Sequence, residues 1–278
     1  MGTSIGASIG AEVPADDLRE LAVEAAIRAG ELLLRFARDL AEGADLDVEH
    51  KSSATDPVSA ADAAAERAIV TSLLAARPDD GILAEEGQDP RPGSTGRTWV
   101  IDPLDGTVNF LYGWPLWCVS VACVDADGTV AGAIVQPTSG EVFHAARGQG
   151  AWLGERRLQV REVSDPAHGL VCTGFAYDRA VRTDWGREVP GLLDRFRDLR
   201  RGGAAALDLA WVAAGRADAY VEFALQPWDW AAGRLLVIEA GGVVTELDRE
   251  LGGARQPGLV AGGRTMHDAV LEFVSEPT

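Results

Sequence analysis

The hydrophobic positions of the chain first recur with a helical spacing. From Leu18 to Leu40, apolar residues return every three or four positions with Arg and Glu between them, which predicts an amphipathic helix. A second helix is predicted from about residue 60 to residue 74. The stretch from 50 to 57 is polar and ends at Pro57, so it is predicted to form a loop.

Strand-like runs follow the second helix. Residues 82–84 and 99–101 are short apolar runs, and carboxylates follow each of them directly. Asp127-Gly128 and Ser139-Gly140 are turn signals between three further runs, which predicts an antiparallel meander. The predicted strands of the meander are 117–124, 130–136 and 142–146.

Beyond Val163 the pattern changes to strand, helix, helix, strand, helix and strand. These elements lie near Leu170, Val189, Ala205, Ala219, Asp229 and Val243, and their alternation favours an α/β arrangement. We therefore predict an N-terminal α+β half over residues 1–165 and a C-terminal α/β half over residues 166–278. No low-complexity linker separates the halves, so they are expected to share an interface.

Composition and charge reduce the number of possible functional classes. The 278 residues are 47% hydrophobic and 24% charged, which is ordinary for a globular protein. The net charge of −18 argues against a nucleic-acid partner and against an anionic membrane surface. If the substrate is an anion, a bound cation must invert the local field.

The three cysteines, Cys118, Cys123 and Cys172, lie in apolar stretches and contain no CxxC pair, which favours core residues over a disulfide framework or a zinc site. The N-terminus lacks the order of a signal peptide, and no apolar run is long enough to span a bilayer. These features predict a reduced, cytoplasmic protein.

Acidic residues cluster at element boundaries, where they can converge while the strands stay buried. Hard divalent cations such as Mg²⁺ prefer oxygen ligands of this kind. The clusters are Asp56 with Asp62, Glu85 with Glu86, Asp102 with Asp105, and Asp229. Asp62 and Asp229 can equally be explained as residues of helix starts, and both roles are compatible.

The segment from Asp102 to Thr107 carries the strongest signal. Pro103 stiffens the turn, so Asp102 and Asp105 can face one pair of cations with the Leu104 carbonyl between them. Gly106 allows close approach of the backbone to a ligand, and free N–H groups at a helix start suit a phosphate. Two metals can clamp a phosphoryl group and activate a water, which Thr107 could hold.

These motifs resemble the inositol monophosphatase family of lithium-sensitive, magnesium-dependent phosphatases. The resemblance runs from the first helix to the last, and four motifs stand in the family's order. The matching segments are Lys51-Ser-Ser with Asp56-Pro-Val-Ser-Ala-Ala-Asp62, Ala84-Glu85-Glu86-Gly87, Asp102-Pro-Leu-Asp-Gly-Thr-Val-Asn-Phe110, and Trp228-Asp229-Trp-Ala-Ala-Gly233 continuing to Glu239-Ala-Gly-Gly242.

The resemblance implies a layered αβαβα sandwich of the inositol monophosphatase and fructose-1,6-bisphosphatase type. It also implies an orienting pair for the attacking water, Thr107 with Asp62, and a mobile flap around Lys51, the only lysine of the chain. The implied Mg²⁺ ligands are Glu85, Asp102, the Leu104 carbonyl, Asp105 and Asp229, with Glu85 also holding the water. The implied substrate contacts are Asp105, Gly106, Thr107, Gly203, Ala204, Ala205, Glu222 and Asp229.

The implied activity is hydrolysis of a small phosphate monoester, and myo-inositol monophosphate is the leading candidate substrate. Histidinol phosphate, fructose-1,6-bisphosphate and a 3′-phosphoadenosine nucleotide remain alternatives, and a non-catalytic regulator is a minor one, because relatives have been linked to RNA-polymerase or ribosome-related roles. Ala204 stands where the family usually has serine or threonine, which removes a hydroxyl from the expected substrate wall. A homodimer is likewise implied by the resemblance alone.

Overall fold

The computed structural model describes residues 13–41, 48–50, 57–87 and 90–276. Lys51 and Asp56 therefore lie outside the described residues. In chain order the elements are α1 (Ala15–Ala41), β1 (Val48–His50), β2 (Pro57–Ser59), α2 (Ala60–Ala76), β3 (Gly81–Ala84), β4 (Thr98–Asp105), α3 (Thr107–Leu111), β5 (Cys118–Asp125), β6 (Gly128–Gln136), β7 (Glu141–Ala146), β8 (Ala151–Leu153), β9 (Arg156–Arg157), a 3₁₀ turn (Pro166–His168), β10 (Leu170–Thr173), α4 (Arg179–Gly186), α5 (Val189–Arg195), β11 (Asp198–Arg200), α6 (Ala205–Ala213), β12 (Ala219–Phe223), α7 (Pro227–Glu239), β13 (Val243–Leu251), β14 (Ala254–Gly262) and α8 (Arg264–Ser275).

Two large sheets organise these elements. The first has seven strands in the order β3-β4-β5-β6-β7-β8-β9, with β3 and β4 parallel and every later pair antiparallel. The second has five strands in the order β11-β10-β12-β14-β13, in which β10 is parallel to both of its neighbours. The short strands β1 and β2 pair with each other.

Three hydrophobic cores hold five layers together. Helices α1 and α2 pack on one face of the seven-stranded sheet through Leu18, Leu33 and Ile69. Helices α6 and α7 lie between the two sheets, around Leu209 and Leu236. A third core joins the five-stranded sheet to α4, α5 and α8. The predicted αβαβα sandwich is thereby confirmed, because each sheet buries both of its faces against helices.

Most predicted elements of the first half are confirmed, including both helices and the meander. The C-terminal prediction omitted α4, β11, β14 and α8. For α8 a signal was available, because Met266, Val270 and Val274 recur every four residues and all three are buried.

All three cysteines are free and buried, as predicted. Within the described ranges, no helix is long and apolar enough to cross a bilayer.

A buried carboxylate fixes the entry to β3. The Asp80 side chain is fully buried and accepts hydrogen bonds from Arg77, from the Thr95 hydroxyl at 2.7 Å and from the Trp99 indole at 3.0 Å. Burial by itself would raise the pKa of Asp80, but the hydrogen bonds outweigh it and the pKa is lowered. Asp80 therefore ties the end of α2 to the edge of the seven-stranded sheet.

We expect Asp80→Ala to destabilise the fold by about 3 kcal/mol, because it leaves a buried indole N–H and a half-buried guanidinium without their acceptor. A lowered folded-state pKa contributes stability above the unfolded value near pH 4, and that contribution is lost as the pH falls through the folded value. Urea unfolding should therefore show a gap between wild type and variant at pH 7 that narrows below about pH 4. An equal midpoint at pH 7 would contradict this role.

Candidate active site

The first acidic pair sits on an irregular strand end. Strand β4 pairs with β5 through Asp102 opposite Ser120 and Asp105 opposite Cys118, so three residue steps on one strand face two on the other. Pro103, which has no N–H, lies inside this bulge. The Leu104 N–H donates to Asp102 Oδ1 at 3.0 Å, which fixes that carboxylate locally. The bulge turns both aspartates toward the same cavity.

Gly106 makes the turn that follows the strand. Its φ is +92°, and a Cβ there would lie 2.9 Å from the Leu116 carbonyl oxygen. Only glycine combines that backbone with so close an approach. The turn leads directly into α3, whose first N–H groups have no partners within the helix. That Gly106 brings the backbone close to a ligand stays a prediction.

Two further carboxylates come from the first half of the chain. Glu85 follows β3, and its N–H donates to the Ile101 carbonyl of the neighbouring strand at 3.2 Å. Asp62 lies in the first turn of α2 and is 1% exposed. Glu85 lines the cavity, whereas Asp62 is not among the lining residues and acts on Asp102 through its charge.

Asp105 connects the seven-stranded sheet to α6. Its carboxylate accepts the N–H of Ala205 at 3.2 Å and the N–H of Ala206 at 2.7 Å, at the start of α6. Burial raises the pKa of Asp105 to about 6, although these two bonds oppose the shift. A single side chain thus places the Gly203 to Ala205 turn beside the end of β4.

Asp229 and Glu222 approach from the five-stranded side. Asp229 lies in the first turn of α7, and its Oδ2 accepts the Gln226 N–H at 2.7 Å, so it also stabilises the helix start. Glu222 on β12 accepts the Tyr220 hydroxyl at 2.8 Å, and burial raises its pKa to about 7. The Glu222 carboxylate packs directly against Gly174, and a Cβ at that position would collide with it.

These residues line one cavity of about 630 Å³. It lies where the end of β4 meets the starts of α6 and α7. The predicted site residues among its walls are Glu85, Asp102, Leu104, Asp105, Gly106, Thr107, Gly203, Ala205, Glu222 and Asp229.

Of the predicted substrate contacts Gly203, Ala204 and Ala205, only Ala204 is buried. It was expected to form part of the substrate wall, but it is 2% exposed and packs in the core between the sheets. A Cβ on Gly106 would lie 3.2 Å from its methyl group, so the residue faces the turn behind the cavity. Its role as a substrate contact stays a prediction.

The pairing of Thr107 with Asp62 to orient the attacking water stays a prediction. The Thr107 hydroxyl donates to the Leu104 carbonyl at 3.0 Å, because that acceptor lies only three residues before it. The carbonyl keeps a second lone pair that can face a ligand.

The carboxylates repel one another strongly. Burial raises the pKa of Asp102 well above its ordinary value, and the charges of Glu85, Asp105, Asp229 and Asp62 raise it further. Burial likewise raises the pKa of Asp229, with repulsion from Asp105 and Glu85 added. In the described part of the chain, no three Asp, Glu, His or Cys side chains are already gathered as a metal site. The cavity therefore concentrates negative charge that a cation would relieve.

Several lining residues were missed by the sequence reasoning. Phe175, Tyr177, Arg201, Gln226 and Gln256 all line the cavity. Gln256 lies on β14, which was not predicted, so its position could not be inferred. Arg201 stands two residues before Gly203 in the sequence, and that proximity was an available signal.

Comparison with known proteins agrees with this architecture. The sequence model of the inositol monophosphatase family matches residues 15–276. The Nus factor SuhB of Xylella fastidiosa is 45% identical over 225 residues, covering 81% of this chain and 80% of that protein. The inositol-1-monophosphatase of Rhizobium meliloti is 39% identical over 264 residues, covering 94% and 97%.

A solved structure shows the same fold. The extragenic suppressor protein suhB from Bartonella henselae superposes with a TM-score of 0.85 at 36% identity, covering 94% of this chain and all of that one. Fold and site together define a phosphoric monoester hydrolase. The chain belongs to the inositol monophosphatase family.

Proposed function

We propose that the protein hydrolyses small phosphate monoesters with Mg²⁺, and that myo-inositol monophosphate is its main substrate. The observation that carries this proposal is the set of mutually repelling carboxylates in one cavity, beside a glycine turn that opens a short helix. The relatives named inositol-1-monophosphatase support the choice of ester.

The donor set suits magnesium by its chemistry. Every candidate ligand is an oxygen, and the residues that would hold the metal are Glu85, Asp102, Asp105 and Asp229 with the Leu104 carbonyl. Burial and mutual repulsion raise the pKa values of Asp102 and Asp229. A bound cation would offset that repulsion, because it favours the ionised carboxylates. When bound, Mg²⁺ supplies Lewis-acid stabilisation of phosphoryl charge and lowers the pKa of a coordinated water.

The chain's own residues supply binding and orientation. The N–H groups of Gly106 and Thr107 open α3 and would hold phosphate oxygens. Glu85 and Thr107 would position the attacking water, and Asp62 contributes negative charge behind them. Glu222, whose pKa is about 7, can accept or donate a hydrogen bond to a polyol hydroxyl.

Removal of metal should abolish phosphate release. We expect EDTA to reduce the hydrolysis of inositol monophosphate by at least about 100-fold, and we expect added Mg²⁺ to restore it. Mg²⁺ should also raise the midpoint of thermal unfolding, because it binds only the folded carboxylate cluster. The resemblance adds that lithium inhibits at tens of millimolar. Full activity in EDTA would exclude the proposed mechanism.

The same assay selects the ester. Initial rates should be measured with Mg²⁺ on inositol monophosphate, histidinol phosphate, fructose-1,6-bisphosphate and a 3′-phosphoadenosine nucleotide. We expect inositol monophosphate to give a higher kcat/KM than histidinol phosphate. A preference for histidinol phosphate by several powers of ten would overturn that choice and leave the reaction class intact.

A second role rests on a different observation, namely that the relative at 45% identity is called Nus factor SuhB. We propose a non-catalytic function of the same fold as the alternative. An inactive Asp102→Asn protein that still complements a deletion phenotype in cells would support it, and failure to complement would favour catalysis. The homodimer stays a proposal that light scattering can test.

A further inference from the structure

The carboxylate of Glu66 contacts the backbone that follows β3. Glu66 lies on α2, one helical turn after Asp62, so the two side chains share one face of that helix. Its Oε2 atom accepts the N–H of Glu86 at 2.7 Å. A Cβ on Gly87 would lie 3.7 Å from Oε1, so the second oxygen faces the next residue of the same segment.

Two different elements hold the peptide groups on either side of Glu85. After β3 ends, the N–H of Glu85 donates to the Ile101 carbonyl of β4 at 3.2 Å. The N–H of the following residue, Glu86, is the one that Glu66 of α2 accepts. Because each peptide group is planar, holding both of them restrains φ and ψ of Glu85, and with them the direction of its side chain.

Glu66 itself is not a wall of the cavity. Glu85 is a lining residue, whereas Glu66 is not, and its Oε2 is already engaged by a backbone donor. Burial raises the pKa of Glu66, the N–H groups of Glu86 and Gly87 oppose that rise, and the charges of Glu86 and Glu85 add to it. The two N–H groups are therefore what stabilises this acidic side chain beside two others.

Helix α2 is a firm base for the contact. Ala65 and Ile69, on either side of Glu66 in the sequence, are fully buried in the core against the seven-stranded sheet. A group carried by a packed helix is held more precisely than one carried by a loop. Glu66 can therefore fix the segment after β3 relative to the sheet.

We propose that Glu66 is a positioning residue for Glu85: by accepting the Glu86 N–H, it directs the Glu85 carboxylate into the cavity, where that carboxylate serves the metal. The proposal rests on the Mg²⁺-dependent function proposed above and adds a residue to it. Outer contacts that orient a metal ligand typically change metal affinity or activity by about 10- to 100-fold when they are removed.

The test is a Mg²⁺ titration of the full-length protein and its variants, followed by thermal unfolding and by ester hydrolysis. For Glu66→Ala we expect the Mg²⁺ concentration that gives half of the thermal stabilisation to rise about 10- to 100-fold. The Mg²⁺ concentration for half-maximal hydrolysis should rise in parallel. Glu31→Ala, which changes an exposed glutamate of the neighbouring helix α1, should behave as wild type.

Two conservative variants separate the contact from the charge. Glu66→Gln loses the charge but keeps an oxygen that can accept the Glu86 N–H, so it should stay within about threefold of wild type. Glu66→Asp keeps the charge on a shorter side chain that no longer reaches this N–H, so it should resemble Glu66→Ala. The reverse order of the two variants would assign the effect to charge and overturn the positioning role.

Hydrogen exchange in the metal-free protein reports on the contact directly. We expect the Glu86 amide to exchange at least about tenfold faster in Glu66→Ala than in wild type. The amide of Ala122, which is fully buried in β5, should keep its wild-type rate. Faster exchange at both amides would show a general loss of structure and would contradict a specific role for Glu66.

The outcomes also distinguish this proposal from the proposed function. If wild type hydrolyses the ester and Glu66→Ala needs the same Mg²⁺ concentration within about twofold, the positioning role is overturned and the phosphatase function stands. If wild type binds Mg²⁺ but hydrolyses none of the esters, the phosphatase function fails, while the thermal titrations still decide the role of Glu66. If Mg²⁺ does not stabilise wild type, both proposals are overturned.

Discussion

Asp102→Asn is expected to reduce phosphate release by about a thousandfold or more, while the metal-free protein becomes no less stable than wild type. The activity falls because one oxygen ligand of the proposed magnesium site is replaced by a neutral amide. The fold survives because the amide oxygen can still accept the Leu104 N–H, which now lies 3.0 Å from Asp102 Oδ1.

The stability argument follows from the direction of the pKa shift. Burial and neighbouring carboxylates raise the pKa of Asp102, so ionisation of this group costs stability as the pH rises above the unfolded value near 4. Asparagine removes that cost. In EDTA at pH 7 to 8 the variant should therefore unfold at the same temperature as wild type or higher.

Magnesium should reverse the order of the two unfolding temperatures, so that wild type becomes the more stable protein. Wild type gains stability from the bound cation, and the variant gains less because a ligand is missing. Thermal unfolding of both proteins in EDTA and in Mg²⁺ would show the crossing, with Asp127→Asn as an exposed control that behaves as wild type. A variant that is active, or one that is less stable than wild type in EDTA, would contradict the assigned role.

Asp105→Ala and Asp105→Asn should both lose activity to a similar extent, but they should differ in stability. The carboxylate accepts the N–H groups of Ala205 and Ala206, and Ala206 is fully buried. Asparagine keeps one acceptor oxygen, whereas alanine leaves both donors without one. We expect the alanine variant to be less stable by about 1–3 kcal/mol.

The comparison between the two Asp105 variants has a specific advantage. Both variants lack the carboxylate charge at position 105. The relief of repulsion from neighbouring carboxylates is therefore the same in both, whereas it would affect any comparison with wild type. Urea unfolding in EDTA at pH 7 measures the difference, and the pair Asp127→Ala and Asp127→Asn provides an exposed control. Equal midpoints for the two Asp105 variants would mean that this carboxylate does not hold the start of α6.

The sequence alone predicted the parts of the site that depend on neighbouring residues. The segment Asp102 to Thr107 was predicted to carry the chemistry, and the structure places it in the cavity through a bulge, a proline and a left-handed glycine. These are local devices, so their signals lie within a few residues of one another.

Two features of the site were not predicted from the sequence. Ala204 was placed on the cavity wall, but packing between the sheets buries its methyl group. The Thr107 hydroxyl donates to the Leu104 carbonyl three residues before it, a bond that the sequence reasoning did not include. In each case the choice among possible partners depends on distances that a one-dimensional pattern does not contain.

What the sequence determined by itself was the family resemblance, the first-half helices and the meander, because periodicity and short motifs encode them directly. Only the tertiary structure decided that Asp105 bridges to α6 about a hundred residues away, that Ala204 faces the core, and that Arg201 lines the cavity. The reason is physical: two separate sheets must pack around α6 and α7 before side chains of the two halves meet, and burial and electrostatic repulsion are properties of that packed arrangement.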